Sequence, residues 1–138
     1  MSVTYTNVLG QVLFEDRGGN QTEFIPDPLG NVVKCRNSGI SYSYSAEYWP
    51  YGEIQTSSGT NPSNFGYVGT WGYYKDSSNQ IYVRARYYKP VQARWLTVDP
   101  LWPRLPRYKY VRCKPTTHID RSGLKPQLVG PIGNPDWP

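Results

Sequence analysis

Pro28-Leu29-Gly30-Asn31-Val32-Val33 puts an apolar residue, a glycine and a short run with β-branched side chains into six positions. The same unit recurs upstream as Val8-Leu9-Gly10-Gln11-Val12-Leu13 and downstream as Pro50-Tyr51-Gly52-Glu53-Ile54-Gln55. The glycines fall at 10, 30 and 52, a spacing of 20 to 22. Glycine supplies the positive φ that such a turn often needs. Between the units lie polar turns, Asp16-Arg17-Gly18-Gly19-Asn20 and Arg36-Asn37-Ser38-Gly39. Strand and turn alternating at regular spacing predict an antiparallel meander.

The segments further out read the same way. Ser41-Tyr42-Ser43-Tyr44-Ser45 alternates strictly, which puts both tyrosines on one side. Ile81-Tyr82-Val83-Arg84-Ala85-Arg86-Tyr87 reads as one strand. Ile81, Val83, Ala85 and Tyr87 would line one face; Tyr82, Arg84, Arg86 and Tyr88 would line the other. The polar stretch Asp76-Ser77-Ser78-Asn79-Gln80 after Gly72-Tyr73-Tyr74-Lys75 makes this strand half of a hairpin. No window of 12 residues carries a helical period. Eight of the 13 prolines lie from Pro100 onward, so regular elements there must be short.

Composition agrees with sheets. Hydrophobic residues are 38% of the chain, below the ordinary share of about 45–50%. The deficit is in aliphatics: there are 13 Tyr and 5 Trp among 138 residues. A core made from such rings must find polar partners for their hydroxyl and indole groups, and rings favour strands. The formal charge of +5 supports solubility and weak attraction to anions. No apolar run is long enough to span a membrane. Met1-Ser2-Val3-Thr4-Tyr5-Thr6 has neither the basic nor the apolar part of a signal peptide. One histidine, His118, and two cysteines, Cys35 and Cys113, argue against a four-ligand zinc site. Whether the two thiols pair is left open by the sequence. No metal and no cofactor are expected.

Three blocks then carry a family likeness. They are Phe65-Gly66-Tyr67-Val68-Gly69 through Asp76, Ile81 through Pro90, and Ala93-Arg94-Trp95-Leu96-Thr97-Val98-Asp99-Pro100. In order and spacing they resemble the Rhs repeat-associated core. Tyr108-Lys109-Tyr110-Val111 and Pro115-Thr116-Thr117-His118-Ile119-Asp120-Arg121-Ser122-Gly123-Leu124 look like its closing part. The glycine units upstream look like the last YD repeats before it. The likeness covers about residues 5–124 and makes Gly69, Tyr74, Arg84, Arg86, Tyr87, Pro90, Arg94, Asp99, Pro100, Gly123 and Leu124 its motif residues. It implies a β-strip wound into a hollow shell and closed by the core. In full-length relatives a C-terminal toxin is held inside, and an immunity protein is a further partner. It also implies a secreted or cell-surface setting.

In many such proteins the core cuts its own chain with aspartates. Here the resemblance makes Asp99 and Asp120 the pair, with scission after Leu124. Two carboxylates sharing one proton can serve as base and acid on a water and a peptide bond. Two departures stand against this. Asp99-Pro100-Leu101-Trp102 lacks the usual glycine, and Arg121 stands where a proline belongs. A guanidinium at Arg121 would favour ionised Asp120. The plain alternative is that both aspartates anchor turns. Cleavage would release only Lys125 to Pro138, fourteen residues with four prolines, too little for a toxin domain.

Arg84 and Arg86 are expected to stack on rings or to pair with carboxylates such as Asp99. Arg104, Arg107, Lys109, Arg112 and Lys114, interleaved with Tyr108 and Tyr110, form a basic aromatic run. A solvated edge guarded by lysine is the reading preferred for it. Nucleic acid is not the expected partner; a basic aromatic sheet binding nucleic acid or surface glycan is kept as an alternative.

The expectation is therefore an all-β chain in three parts. Residues 1–60 are YD-type strands, 61–124 the core, and 125–138 a flexible Pro-rich tail. The expected function is a shell or end-cap segment of an encapsulation system, an orphan or truncated piece without its toxin. Its partners would be an upstream YD-repeat shell or further copies of itself. Self-cleavage is the one enzymatic alternative.

Overall fold

The computed structural model describes residues 2–37, 42–76 and 79–129. It is all-β and antiparallel, with only single-turn 3-10 helices between strands. Ser38-Gly39, Ser77-Ser78 and positions 130–138 of the expected tail lie outside the described residues.

Six strands form the first sheet: β1 (Val3–Val8), β2 (Gln11–Arg17), β3 (Asn20–Pro26), β4 (Val32–Asn37), β5 (Tyr42–Tyr48) and β6 (Ile54–Gly59). Each pairs with its sequence neighbour, so the order is the meander the glycine units predict. Gly10, Gly30 and Gly52 all have positive φ, at 83°, 96° and 104°. They sit in the connections β1–β2, β3–β4 and β5–β6, which share one side of the sheet. Asp27 organises the middle turn: its Oδ1 accepts from the backbone N–H of Leu29, Gly30 and Asn31 at 2.9–3.0 Å.

The second sheet has the order β10-β9-β8-β7, from β7 (Tyr74–Lys75), β8 (Ile81–Val83), β9 (Arg86–Lys89) and β10 (Arg94–Trp95). The β7–β8 hairpin is as expected. The single strand expected at 81–87 is not formed. The chain reverses at Arg84-Ala85, with Arg84 at φ 45°, and Val83 pairs with Arg86. Ile81, Val83, Arg86 and Tyr88 are therefore buried together, while Tyr82 and Tyr87 are exposed. The turn resets the odd–even facing, so Arg86 leaves the surface for the core. The Arg84 guanidinium braces the turn by donating to the Arg121 carbonyl at 2.7 Å.

The expected facing of Tyr42 with Tyr44 also fails. Cys35 pairs with Tyr44 but Arg36 pairs with Tyr42, which leaves Ser43 as an extra residue. A bulge of this kind turns the chain. Tyr44 is buried, and Tyr42 is exposed beneath the Lys34 ammonium, 5.0 Å from its ring centroid.

Beyond Pro100 the elements are as short as the prolines require. β11 (His118–Ile119) pairs with β12 (Gln127–Leu128), inside the stretch expected to be a tail. Val129 packs on the core and donates its N–H to Thr117 O at 2.8 Å. Tyr108-Lys109-Tyr110-Val111 is not a strand; it meets β10 through the isolated Arg94–Lys109 bridge and a hydrogen bond from Trp95 N–H to Tyr108 O at 3.0 Å. No helix among the described residues is long and apolar enough to cross a membrane.

The core is aromatic. Tyr67, Tyr73, Tyr88, Trp95 and Tyr110 pack with Trp71, Val68, Val83, Val111 and Ile119. Tyr88 and Tyr110 stack with centroids 4.1 Å apart. Their hydroxyls are satisfied as buried phenols must be. Tyr67 donates to Pro50 O at 3.0 Å, Tyr88 donates to Tyr51 O, and Tyr73 and Tyr110 bond each other at 2.9 Å. Both acceptor carbonyls belong to the Gly52 turn, so the first sheet is fastened to the core there.

Candidate functional site

The turn at Arg84-Ala85 delivers Arg86 into the centre of the core. Its guanidinium lies 4.0 Å from the Trp95 ring centroid. Nε donates to the Gly123 carbonyl, and one terminal nitrogen reaches Asp99 Oδ2 at 3.2 Å and Asp120 Oδ2 at 3.5 Å. All three side chains are buried. The other terminal nitrogen, Nη1, has no hydrogen-bond partner among the described residues. Asp99, from the loop after β10, and Asp120, just after β11, thus meet through one guanidinium. Sequence offered Arg86–Asp99 pairing as one option; the link to Asp120 was not visible there, because the hairpin turn lacked any Gly or Asn to mark it.

Asp120 is held on every side. Its Oδ1 accepts from the N–H of Ser122, Leu124 and Lys125 at 3.1–3.2 Å and from Ser122 Oγ at 3.2 Å. Its own N–H donates to Tyr73 Oη at 2.8 Å. Both aspartates also anchor turns, as the plain alternative held: Asp99 Oδ1 accepts from Leu101 N–H at 2.8 Å. Gly123, at φ 74°, passes so close to the Arg84 turn that a Cβ would overlap Val83 O and stand 3.1 Å from Ala85 N.

Electrostatics separate the groups. Burial raises the Asp120 carboxyl above its ordinary value, against the pull of the Lys125 N–H and of Arg86. Burial also draws Arg86 below its ordinary value, although both carboxylates oppose it. Two carboxylates and one guanidinium are neutral together only when one carboxyl holds a proton, and burial favours that outcome. Arg121 is not beside Asp120 as expected. Its guanidinium covers Trp71, 4.4 Å from the ring centroid.

The other motif residues serve elsewhere. At Gly69 a Cβ would stand 2.9 Å from Phe65 Cβ. Tyr74 and Tyr87 are exposed on the second sheet. Pro90 opens a 3-10 turn, Pro100 begins the turn after Asp99, and Arg94 lies over Tyr108 at 4.5 Å. Leu124 is exposed beside Asp120. Cys35 and Cys113 are free thiols, the first buried and the second exposed. No group of three or more His, Cys, Asp or Glu residues among those described could hold a metal.

No family model and no curated protein matches the chain. Solved structures do. A crystal structure of TcdB2-TccC3 aligns at TM-score 0.69 and 26% identity over 79% of this chain. A TcdB2-TccC3 structure without the hypervariable C-terminal region aligns equally well. A Photorhabdus luminescens Tc holotoxin pore, mutated in TccC3, aligns at 0.69 and 25% identity over 86%. At this coarse level the fold is Rhs-like. The neighbours are parts of a multi-subunit toxin complex. This chain spans only 5–6% of the length of those it matches.

Proposed function

We propose that the chain is a structural segment of a shell, a strip of YD-type strands joined to an end-capping core, as in an Rhs-type encapsulation system. Residues 1–60 are the strip and 61–124 the core. One observation carries the reading. The three glycine turns of the strip converge on one stretch of the core, Tyr67 to Trp71: a Cβ on Gly30 or Gly52 would overlap Trp71 or Tyr67, and one on Gly10 would touch Trp71 at 3.4 Å. A strip built to seat a cap in this way has a reason for its repeat. The likeness to components of a toxin complex supports the reading. So do the sheet edges: β1 and β6 each have one unpaired side and are largely exposed. Open edges invite pairing with another strand. Light scattering on the purified chain is expected to show self-association that deepens with concentration. A monomer at all concentrations counts against a shell segment.

A second reading is favoured by one contact. Asp120 Oδ1 receives the N–H of Lys125, the nitrogen of the bond that self-cleavage would break. Asp99 would serve as the base that takes a proton from water, and the hydroxide would add to the Leu124 carbonyl carbon. Protonated Asp120 would then pass its proton to the Lys125 nitrogen as the bond breaks. The intact mass of purified protein tests this. Loss of the segment after Leu124, prevented by Asp120→Asn, is the expected result; a full-length mass from wild type ends the reading.

A further inference from the structure

The six-stranded sheet has two open edges, β1 and β6, and among the described residues no further strand pairs with either. Edge strands are ordinarily guarded by charged residues, by proline or by bulges. Val3–Val8 and Ile54–Gly59 contain no charged residue and no proline. Every residue of β6 is exposed, and every residue of β1 but Val3. Each strand has one register shift, after Thr6 on β1 and at Gln55 on β6. That leaves two unshifted stretches of equal length, Val3 to Thr6 and Thr56 to Gly59. Ser2 O accepts from Gly18 N–H at 3.3 Å. By the alternation of an antiparallel ladder, Thr4 and Thr6 then bond β2, while Val3 and Tyr5 turn their N–H and C=O outward.

Facing decides which edges fit each other. Tyr5 is opposite buried Glu15 and Ser57 is opposite buried Ala46, so Tyr5 and Ser57 lie on the core face of the sheet. Val3 and Gly59, two residues along, lie there too, and Thr4, Thr6, Thr56 and Ser58 face the other way. Directly opposed residues share a face, and a slip of one residue breaks the agreement. Full overlap of β1 with a second β1 would oppose Val3 to Thr6, which face opposite ways. Full overlap of two β6 stretches would oppose Thr56 to Gly59, with the same conflict. Full antiparallel overlap of β1 with β6 opposes Val3 to Gly59, Thr4 to Ser58, Tyr5 to Ser57 and Thr6 to Thr56, and all four pairs agree. In a six-stranded meander β1 and β6 run antiparallel, so a second copy continues the sheet with its core face on the same side. The residue types suit one another as well. Hydroxyl side chains opposite one another are favourable pairs. Small Ser57 and Gly59 leave room for the Tyr5 ring, which is 42% exposed.

We propose that a second copy of this chain is the partner of the open edge, its β6 adding to β1 in this register. The proposal rests on the shell-segment reading and names the strand that would cover the edge. The contact joins two different surfaces, so each added copy offers a fresh edge and the row of copies extends.

Disulfide trapping tests it, in full chains carrying Cys113→Ser to remove the exposed thiol. Thr4→Cys chains mixed with Ser58→Cys chains under mild oxidation should give a covalent dimer on a non-reducing gel, and either variant alone should give none. A chain with both changes should give a ladder. Thr56→Cys is the control: it shares a face with Ser58 but is diagonal to Thr4, about 7–8 Å away and beyond disulfide reach. In light scattering, Thr6→Lys with Thr56→Lys should lose association by opposing two charges. Thr6→Lys with Thr56→Glu should restore it, and circular dichroism confirms folding of each variant. Dimers from Thr4→Cys alone, or as readily with Thr56→Cys as with Ser58→Cys, overturn this pairing and leave the shell reading standing. So does association without a trapped dimer. A chain that stays monomeric at every concentration removes both.

Discussion

Gly30 lies against the indole of Trp71: a Cβ on Gly30 would overlap Cδ1 and stand 2.7 Å from Nε1 and 2.9 Å from Thr70 Oγ1. Thr70 completes the contact by donating its hydroxyl to the Gly30 carbonyl at 2.9 Å. The same indole lies 3.4 Å from a Cβ on Gly10, and Tyr67 would stand 2.7 Å from one on Gly52. A repeat in sequence has become a row of seats for two aromatic side chains.

Gly30→Ala is therefore expected to cost more than backbone strain alone. Gly19 is the control, since it has a similar φ of 91° with nothing within 4 Å of its Cβ. Gly19→Ala should lose about 1–2 kcal/mol, the left-handed penalty. Gly30→Ala adds overpacking worth about 1–3 kcal/mol. Urea unfolding of both variants compares the two losses; equal losses would mean that the Trp71 contact carries no weight.

Arg86→Met should be among the most damaging changes. It leaves Asp99 and Asp120 buried without their shared cation, a loss of about 3–5 kcal/mol. The effect depends on pH with a definite sign. Without the guanidinium the Asp120 carboxyl, already raised by burial, lies further above its ordinary value. A carboxyl raised in the folded state favours folding below its unfolded value, and that contribution is lost as pH rises through the folded one. The variant should recover toward wild type as pH falls toward 4, seen as converging melting temperatures.

Alkali should unfold the chain cooperatively. Burial raises Tyr67, Tyr73, Tyr88 and Tyr110 above 10.0. In the unfolded chain they ionise near 10, so stability is lost as pH rises beyond it. Each group costs about 1.4 kcal/mol per pH unit, and four together reach roughly 6 kcal/mol one unit above. That is comparable to the whole stability of a small domain, about 5–15 kcal/mol. Phenolate absorbance should therefore rise in one step with the loss of near-ultraviolet circular dichroism, not tyrosine by tyrosine.

The two thiols should differ in reactivity. Cys35 is buried, and burial pushes its thiol up to about 12. Cys113 is exposed. A thiol-reactive dye at neutral pH should label one cysteine in the folded chain, identified as Cys113 by peptide mapping, and both after denaturation. Rapid labelling of Cys35 in the native state would contradict the packing of the first sheet.

Periodic features were readable because they are local. Glycine at 10, 30 and 52 marks turns through φ alone, and ring-rich runs mark strands, so the six-stranded meander and the β7–β8 hairpin follow from neighbours in sequence. Features that depend on one inserted or reversed residue were not readable. Ser43 is a bulge with no local signal, and Arg84-Ala85 is a turn made of ordinary strand residues, held by a carbonyl 37 positions away.

What the amino-acid order determined by itself is the class of fold and its punctuation; Asp99 and Asp120 were singled out by the resemblance alone. What only the tertiary structure decided is who meets whom. Arg86 joins Asp99 to Asp120, and Lys89, Arg94 and Lys109 become neighbours, through register between segments that sequence does not align. The reason is physical: backbone preference acts over a few residues, whereas burial and charge act through space, and a single turn moves a side chain from solvent to core.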